Sequence, residues 1–218
     1  MLMEKSAVMA RMGEVGLVPV LRASSTKEAL LIANAILAGG VTVVEVTMTV
    51  PNALEVIRTL VRDEPKMLVG AGTVLDPETA RVCMMEGAAF VVSPATNVRT
   101  IAMCRRYSVP VLPGALTPTE VVTAWEAGAD AIKVFPASAM GGASYLKSLK
   151  GPLPQIPLIP TGGVSVATAA EFLGAGAFAL GVGSDLVDTK AVAAGELHRI
   201  TATARAYLAA IAEFRNKV

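Results

Sequence analysis

An α/β fold of the (β/α)8 TIM-barrel type, preceded by a short N-terminal helix, is predicted for this chain on three observations. Short β-branched runs recur along its whole length, their starts about 19 to 26 residues apart. Helical patterns fill the gaps between them, which is the rhythm of parallel strands joined by crossovers. Eight such units fit within 218 residues, the repeat number of a closed barrel. A doubly wound eight-stranded sheet would give the same alternation, so element order by itself does not demand closure.

The elements follow in order. Residues 1–16, MLMEKSAVMARMGEVG, scatter charges among short apolar runs and read as a short helix rather than a secretory signal. Strands are expected at LVPVLR (17–22), VVEVT (43–47), MLVGAGT (67–73) and FVVSP (90–94). Four more are expected at VPVLPGA (109–115), AIKVFP (131–136), PLIPTGG (157–163) and FALGVGS (178–184). Between them, Ser25-Thr26 precede KEALLIANAILAGG, Pro51 opens NALEVIRTLV, and Pro77 opens ETARVCMMEG. Thr117-Pro118-Thr119-Glu120 starts another helix in the same way. Glycine-bearing endings such as AGG, EGA and EAGA suit C-caps that feed the next strand. A C-terminal helix is expected over 190–218. The ten methionines and Trp125 fit core and helix–sheet packing. No linker or low-complexity segment divides the chain, so one domain, 1–218, is expected.

Composition narrows the function. The chain is 53% hydrophobic, with 19 basic against 18 acidic residues and a formal net charge of +1. Nothing there attracts nucleic acid or an anionic membrane, and small metabolites are the expected partners. No run of about 18 apolar residues is free of a charge or a Gly/Pro break. A soluble, cytoplasmic protein is the expectation. Cys83 and Cys104 lack metal-ligand spacing and read as reduced thiols. His198 is the sole histidine, which excludes a histidine-rich metal site and disfavours a Ser-His-Asp triad. Neither a metal nor a cofactor is expected.

One residue needs explaining. Lys133 sits in AIKVFP, a run that otherwise reads as a buried strand, whereas the other seven lysines lie in polar, turn or helix-like surroundings. A lysine so placed finds a counter-charge, snorkels out, or gives up its proton and becomes a nucleophile. Glu45 lies in VVEVT in the same way. Strands two and six face each other across a closed barrel and feed the same layer, so the two side chains can converge. They form either a buried ion pair or a catalytic pair.

Other polar residues fall where strands end and the loops of the barrel mouth begin: Arg22, Thr47, Thr73, Ser93, Thr161 and Ser184. Thr161-Gly162-Gly163 closes strand seven and Gly181-Val182-Gly183-Ser184 closes strand eight, the pair of turns that in this fold commonly cradles phosphate. Arg22 offers a planar fork suited to a carboxylate, with the Thr73 hydroxyl as a further donor. The set suggests a substrate with an acid at one end and phosphate at the other.

The segments VVEVTMTVPNA, GAGTVLDPE, VVSPAT, PGALTPTE, AIKVFPAS, LKGPLP, PTGGV and GVGSDL resemble the family of 2-keto-3-deoxy-6-phosphogluconate (KDPG) and 4-hydroxy-2-oxoglutarate (KHG) aldolases. The resemblance runs from about residue 17 to about residue 186. It implies a class I, metal-independent aldolase in which Lys133 forms the Schiff base and Glu45 moves protons. Thr73 and Thr161 would contact the pyruvyl part and Phe135 would pack beside it. Gly162, Gly163, Gly183 and Ser184 would hold phosphate. Many members carry an arginine two residues beyond the threonine of the EVT motif; this chain has Thr49 there, and the carboxylate contact passes to Arg22. The resemblance also implies a homotrimer. Its alternatives are the galactonate-derived C4 epimer as substrate, a non-covalent sugar-phosphate isomerase, epimerase or decarboxylase, and a silent metabolite-binding barrel.

Overall fold

The computed structural model describes residues 3–217, and the strands lie where the β-branched runs predict them. Helix α1 (Lys5–Val15) leads into β1 (Leu17–Leu21), then α2 (Thr26–Ala38), β2 (Val43–Thr47), α3 (Ala53–Asp63) and β3 (Leu68–Gly72). Next come α4 (Pro77–Met85), β4 (Val91–Val92), α5 (Val98–Arg106), β5 (Val111–Leu112), β6 (Gly114–Ala115) and α6 (Pro118–Glu126). The remainder is β7 (Ile132–Val134), a 3-10 turn (Ala137–Met140), α7 (Ala143–Lys150), β8 (Leu158–Pro160), α8 (Ala169–Gly174), β9 (Leu180–Val182), α9 (Thr189–Ala193) and α10 (Leu197–Arg215). The expected fifth strand is two pieces, because Pro113 has no N–H to give the ladder between β5 and β6.

Local chemistry accounts for the helix starts. Ser25 accepts from the Glu28 amide and Asp76 from the Thr79 amide, while Thr117 and Glu120 complete a reciprocal capping box ahead of Pro118. Pro51 does not open α3; the helix begins at Ala53 after Asn52, which holds a left-handed φ of 54°. The stretch expected as one C-terminal helix is two, α9 and α10. Its break falls at Gly195, whose φ of 73° cannot continue a right-handed helix. The outermost residues of the expected helical spans, Met1, Leu2 and Val218, lie outside the described residues. Among the described residues, no helix is long and apolar enough to cross a membrane.

Every strand pairing is parallel. Six strands form one half-barrel sheet in the order β5-β4-β3-β2-β1-β9, and three form a second in the order β6-β7-β8. Isolated parallel bridges, Leu158 to Ala177 and Thr161 to Gly181, lie between the β8 and β9 segments.

Strand alternation sorts the side chains into two apolar clusters. One face of the strands supplies Leu21, Val44, Val46, Val69, Ile132 and Val182 to a large cluster shared with the helices. The other face supplies Val18, Val43, Leu68, Phe90, Val92, Leu112, Ala131, Ile159 and Ala179 to a smaller cluster, which Val8 and Met12 of α1 join. By the two-residue period of a strand, Glu45 shares the face of Val43, and Lys133 that of Ala131. Both charges therefore stand above the apolar layer that α1 stoppers. Fully burying one such aliphatic side chain stabilises the fold by about 1.5 to 3 kcal/mol, which offsets the cost of charges nearby.

Candidate active site

Glu45 is 2% exposed and Lys133 is 6% exposed, yet each is an ionisable side chain on a strand. They meet: Lys133 Nζ donates to Glu45 Oε1 at 3.4 Å. Residues 88 apart in sequence thus converge as the strand parity predicts. Along the sheets Glu45 is registered with Val20 and Gly70, and Lys133 with Gly114 and Ile159, so neighbouring strands offer the pair no other charge. Gly72 makes room for it. A β-carbon at that position would stand 2.0 Å from Glu45 Oε1, inside any permissible contact. The Lys133 ammonium also lies 5.5 Å from the centre of the Phe135 ring.

Beside this pair opens a cavity of about 370 Å³. Arg22, Phe135, Thr161, Gly162, Gly163, Gly183 and Ser184 line it. The strand-end residues expected to act on substrate are therefore gathered on one concave surface, with Phe135 linking it to Lys133. Glu45, Lys133 and Thr73 are not in the cavity wall. Lys133 meets the wall through Phe135, Glu45 is registered with the lining residue Val20, and Thr73 follows the end of β3, next to the glycine that abuts Glu45. Thr73 itself has a φ of 57°. For a β-branched residue this is a true outlier, costing about 1 to 3 kcal/mol, and such strain gathers at functional sites.

The two turns differ in how they present backbone. Gly162 and Gly163 hold φ values of 95° and 74°, conformations in which a side chain would be strained, so this turn needs glycine to face the cavity. After β9 the chain curls at once, with the Leu186 and Val187 amides donating to the Gly183 carbonyl. This single turn sets Ser184 and Asp185 on the cavity rim. The Arg22 guanidinium reaches the same turn: a β-carbon on Gly183 would be 3.8 Å from Arg22 Nη1. Thr49 is engaged elsewhere, its hydroxyl 2.7 Å from that of Thr47, which donates to the Leu21 carbonyl.

Among the described residues no three His, Cys, Asp or Glu side chains gather as a metal site would require. Cys83 and Cys104 are both buried, and burial pushes their thiols up to about 11 and about 12, so they stay protonated and poorly nucleophilic.

A model of the family described as KDPG and KHG aldolase matches residues 8–203. The chain belongs to that family. It is 36% identical over 188 residues to the KHG/KDPG aldolase of Escherichia coli K12, covering 86% of this chain and 88% of that one. It is 35% identical to the 2-dehydro-3-deoxy-phosphogluconate aldolase of Treponema pallidum, over 86% of this chain and 90% of the relative. Among solved structures it is similar to the Legionella pneumophila KDPG aldolase, in which pyruvate was captured at low pH as a covalent carbinolamine intermediate. That match has a TM-score of 0.85 and 30% identity, covering 94% of this chain and 98% of that chain. As a family of aldolases, its members are carbon–carbon lyases.

Two residues at the site escape a reading of strand ends. Asp185 follows Ser184 directly in GVGSDL and lines the cavity, while Tyr207, buried in the middle of α10, donates its hydroxyl to the Asp185 carboxylate. A tyrosine inside an amphipathic helix carries no sequence mark of such a role. Only the packing of α10 against the turns reveals it.

Proposed function

We propose that this chain is a class I aldolase that cleaves KDPG to pyruvate and glyceraldehyde 3-phosphate and also acts on KHG. The observation that carries the reading is the buried Lys133–Glu45 pair beside a cavity that ends in two glycine turns. The free amine of Lys133 attacks the C2 ketone, and loss of water from the carbinolamine leaves an iminium. Its positive nitrogen accepts the electron pair released when the C3–C4 bond breaks. Glu45, directly or through one water, takes the C4 hydroxyl proton and serves the proton transfers of carbinolamine formation and enamine protonation. Thr161 and Thr73 contact the pyruvyl part and Phe135 packs against it. Gly162, Gly163, Gly183 and Ser184 receive phosphate. None of these steps calls for a metal or an organic cofactor.

The same proposal includes the assembly around the site. The two sheets form one closed eight-stranded barrel, with β5 and β6 as its fifth strand. The two bridges between the β8 and β9 segments and the single inner apolar cluster support this. Residues 1–218 form one domain, working in the cytoplasm on small 2-oxo acids as a homotrimer, whose mass sedimentation would measure. Treating the protein with pyruvate and borohydride tests the chemistry. Mass spectrometry should find the reduced three-carbon adduct on the peptide that holds Lys133, and a protein that binds phosphate but never forms that adduct is a non-covalent phosphate-binding barrel instead. The galactonate-derived epimer differs at one hydroxyl, and paired assays with the two sugar acids decide between them.

Arg22 is proposed as the carboxylate anchor, because Thr49 has no charge to offer. Losing one charge-assisted hydrogen bond costs about 1.5 to 3 kcal/mol, so Arg22→Ala should weaken pyruvate binding by roughly ten- to two-hundred-fold. Arg22→Lys should recover part of that, since a point charge does not reproduce the fork. The nearness of Arg22 to Gly183 favours a second reading, in which it serves the phosphate. Then Arg22→Ala would leave pyruvate affinity intact and penalise phosphorylated substrates alone, as Ser184→Ala should.

A further inference from the structure

The phenol of Tyr207 sits at a junction that the proposed mechanism does not use. Tyr207 is 0% exposed, yet its hydroxyl lies beneath the exposed rim of the cavity. It donates to Asp185 Oδ2 at 2.5 Å and has the Val164 carbonyl as a second acceptor at 3.3 Å. Val164 ends the Thr161-Gly162-Gly163 turn, and Asp185 belongs to the turn that carries Gly183 and Ser184. One buried hydroxyl from α10 therefore touches both turns that face the cavity.

The carboxylate it holds is out of place electrostatically. Asp185 lines a cavity whose other polar wall residues, Arg22, Ser184 and the glycine amides, suit an anion. A free aspartate there would repel a phosphate of the same sign, and the repulsion would be strong where water is partly excluded. A carboxylate that accepts from a buried phenol has one oxygen, Oδ2, fixed on that donor, so the group cannot swing freely toward a ligand in the cavity. The donor is also rigid. Tyr207 has two side-chain torsions and is packed within the same large cluster as Leu180, Val182 and Leu186.

We propose that Tyr207 and Asp185 form a positioning clamp that fixes the spacing of the two turns and holds the Asp185 carboxylate clear of the phosphate-binding position. The inference rests on the reading of these turns as a phosphate site, and it makes Tyr207 a specificity residue that touches no substrate. It acts on phosphorylated substrates in particular, because an unphosphorylated 2-oxo acid places no second anion at the rim.

The test uses inorganic phosphate as the probe on the intact protein, with isothermal titration of the parent, Tyr207→Phe, Asp185→Asn and the double variant. Tyr207→Phe should weaken phosphate binding by at least about tenfold, since it frees a like charge beside the ligand. Asp185→Asn in that background removes the charge and should recover most of the loss. Assays with KDPG and KHG supply a second readout, in which Tyr207→Phe lowers kcat/KM more for the phosphorylated substrate, through KM. A merely structural tyrosine would weaken both substrates equally, and Asp185→Asn would rescue nothing. That pattern, or a Tyr207→Phe affinity within twofold of the parent, overturns the clamp. Parent protein that binds no phosphate also overturns it. The Schiff-base reading is judged separately by the Lys133 adduct, so the two fail independently. Should Tyr207→Phe fail to fold, Asp185→Glu pushes the carboxylate past the phenol on a side chain one carbon longer. It should weaken phosphate binding, and unchanged affinity would count against the clamp.

Discussion

Lys133→Met is expected to abolish turnover, by at least about ten-thousandfold, because it removes the amine proposed to form the iminium on which the electron flow depends. The borohydride adduct should vanish with it. Methionine nearly conserves the volume, so the packing survives, but the electrostatics do not. Glu45 would be left buried without its partner, and breaking one side of a buried pair typically costs about 3 to 5 kcal/mol. Lys133→Met should therefore unfold at lower denaturant than the parent, and Lys133→Met with Glu45→Gln should regain much of the difference while remaining inactive. Kinetic assay, adduct mass and denaturant midpoint together check this result. The assignment fails if the single variant still turns over, or if the adduct moves to another lysine. Lys5 is paired with Asp130, and Lys150 donates to the Pro154 and Ile156 carbonyls, so neither occupies comparable surroundings.

Glu45→Gln should lower kcat by roughly a hundred- to ten-thousandfold, the usual worth of a positioned acid–base group. The amide keeps the size of the carboxylate and can still accept from Lys133, but it cannot carry a proton to and from the carbinolamine or the C4 hydroxyl. Adduct formation on long incubation with pyruvate should survive at a reduced rate, which separates this variant from Lys133→Met. Single-turnover rates with and without added small carboxylates measure the difference. A kcat within a few-fold of the parent would show that Glu45 only balances charge.

Much of this was legible in the sequence because strand burial leaves a strong mark. A lysine and a glutamate among β-branched residues are conspicuous when their neighbours are apolar, and strand parity alone brings them to one layer. The ends of strands seven and eight were equally plain through their glycines. What stayed hidden depended on contacts between distant segments or on backbone angles. Pro113 breaks the fifth strand in two, Asn52 displaces a helix start from Pro51, and Gly195 divides the last helix, each through a local conformation that hydrophobic periodicity does not encode. The strained φ of Thr73 has no trace in its residue type, and the leaning of Arg22 toward Gly183 is a rotamer choice. Tyr207 looked like any aromatic on the buried stripe of a helix.

In the proposed closed barrel, the apolar layer under Lys133, which Val8 and Met12 of the first helix join, would turn the site into a blind alley. Everything that reaches the lysine must come and go past the same rim. Depth would then impose sequence in time: with Lys133 as the proposed nucleophile, the fragment bonded to the amine would be innermost and the phosphorylated aldehyde would lie between it and solvent. Cleavage should release the aldehyde first and pyruvate last, and synthesis should load them in the reverse order. Product inhibition should show this directly, with pyruvate competing against the sugar acid for the empty enzyme and the aldehyde unable to do so.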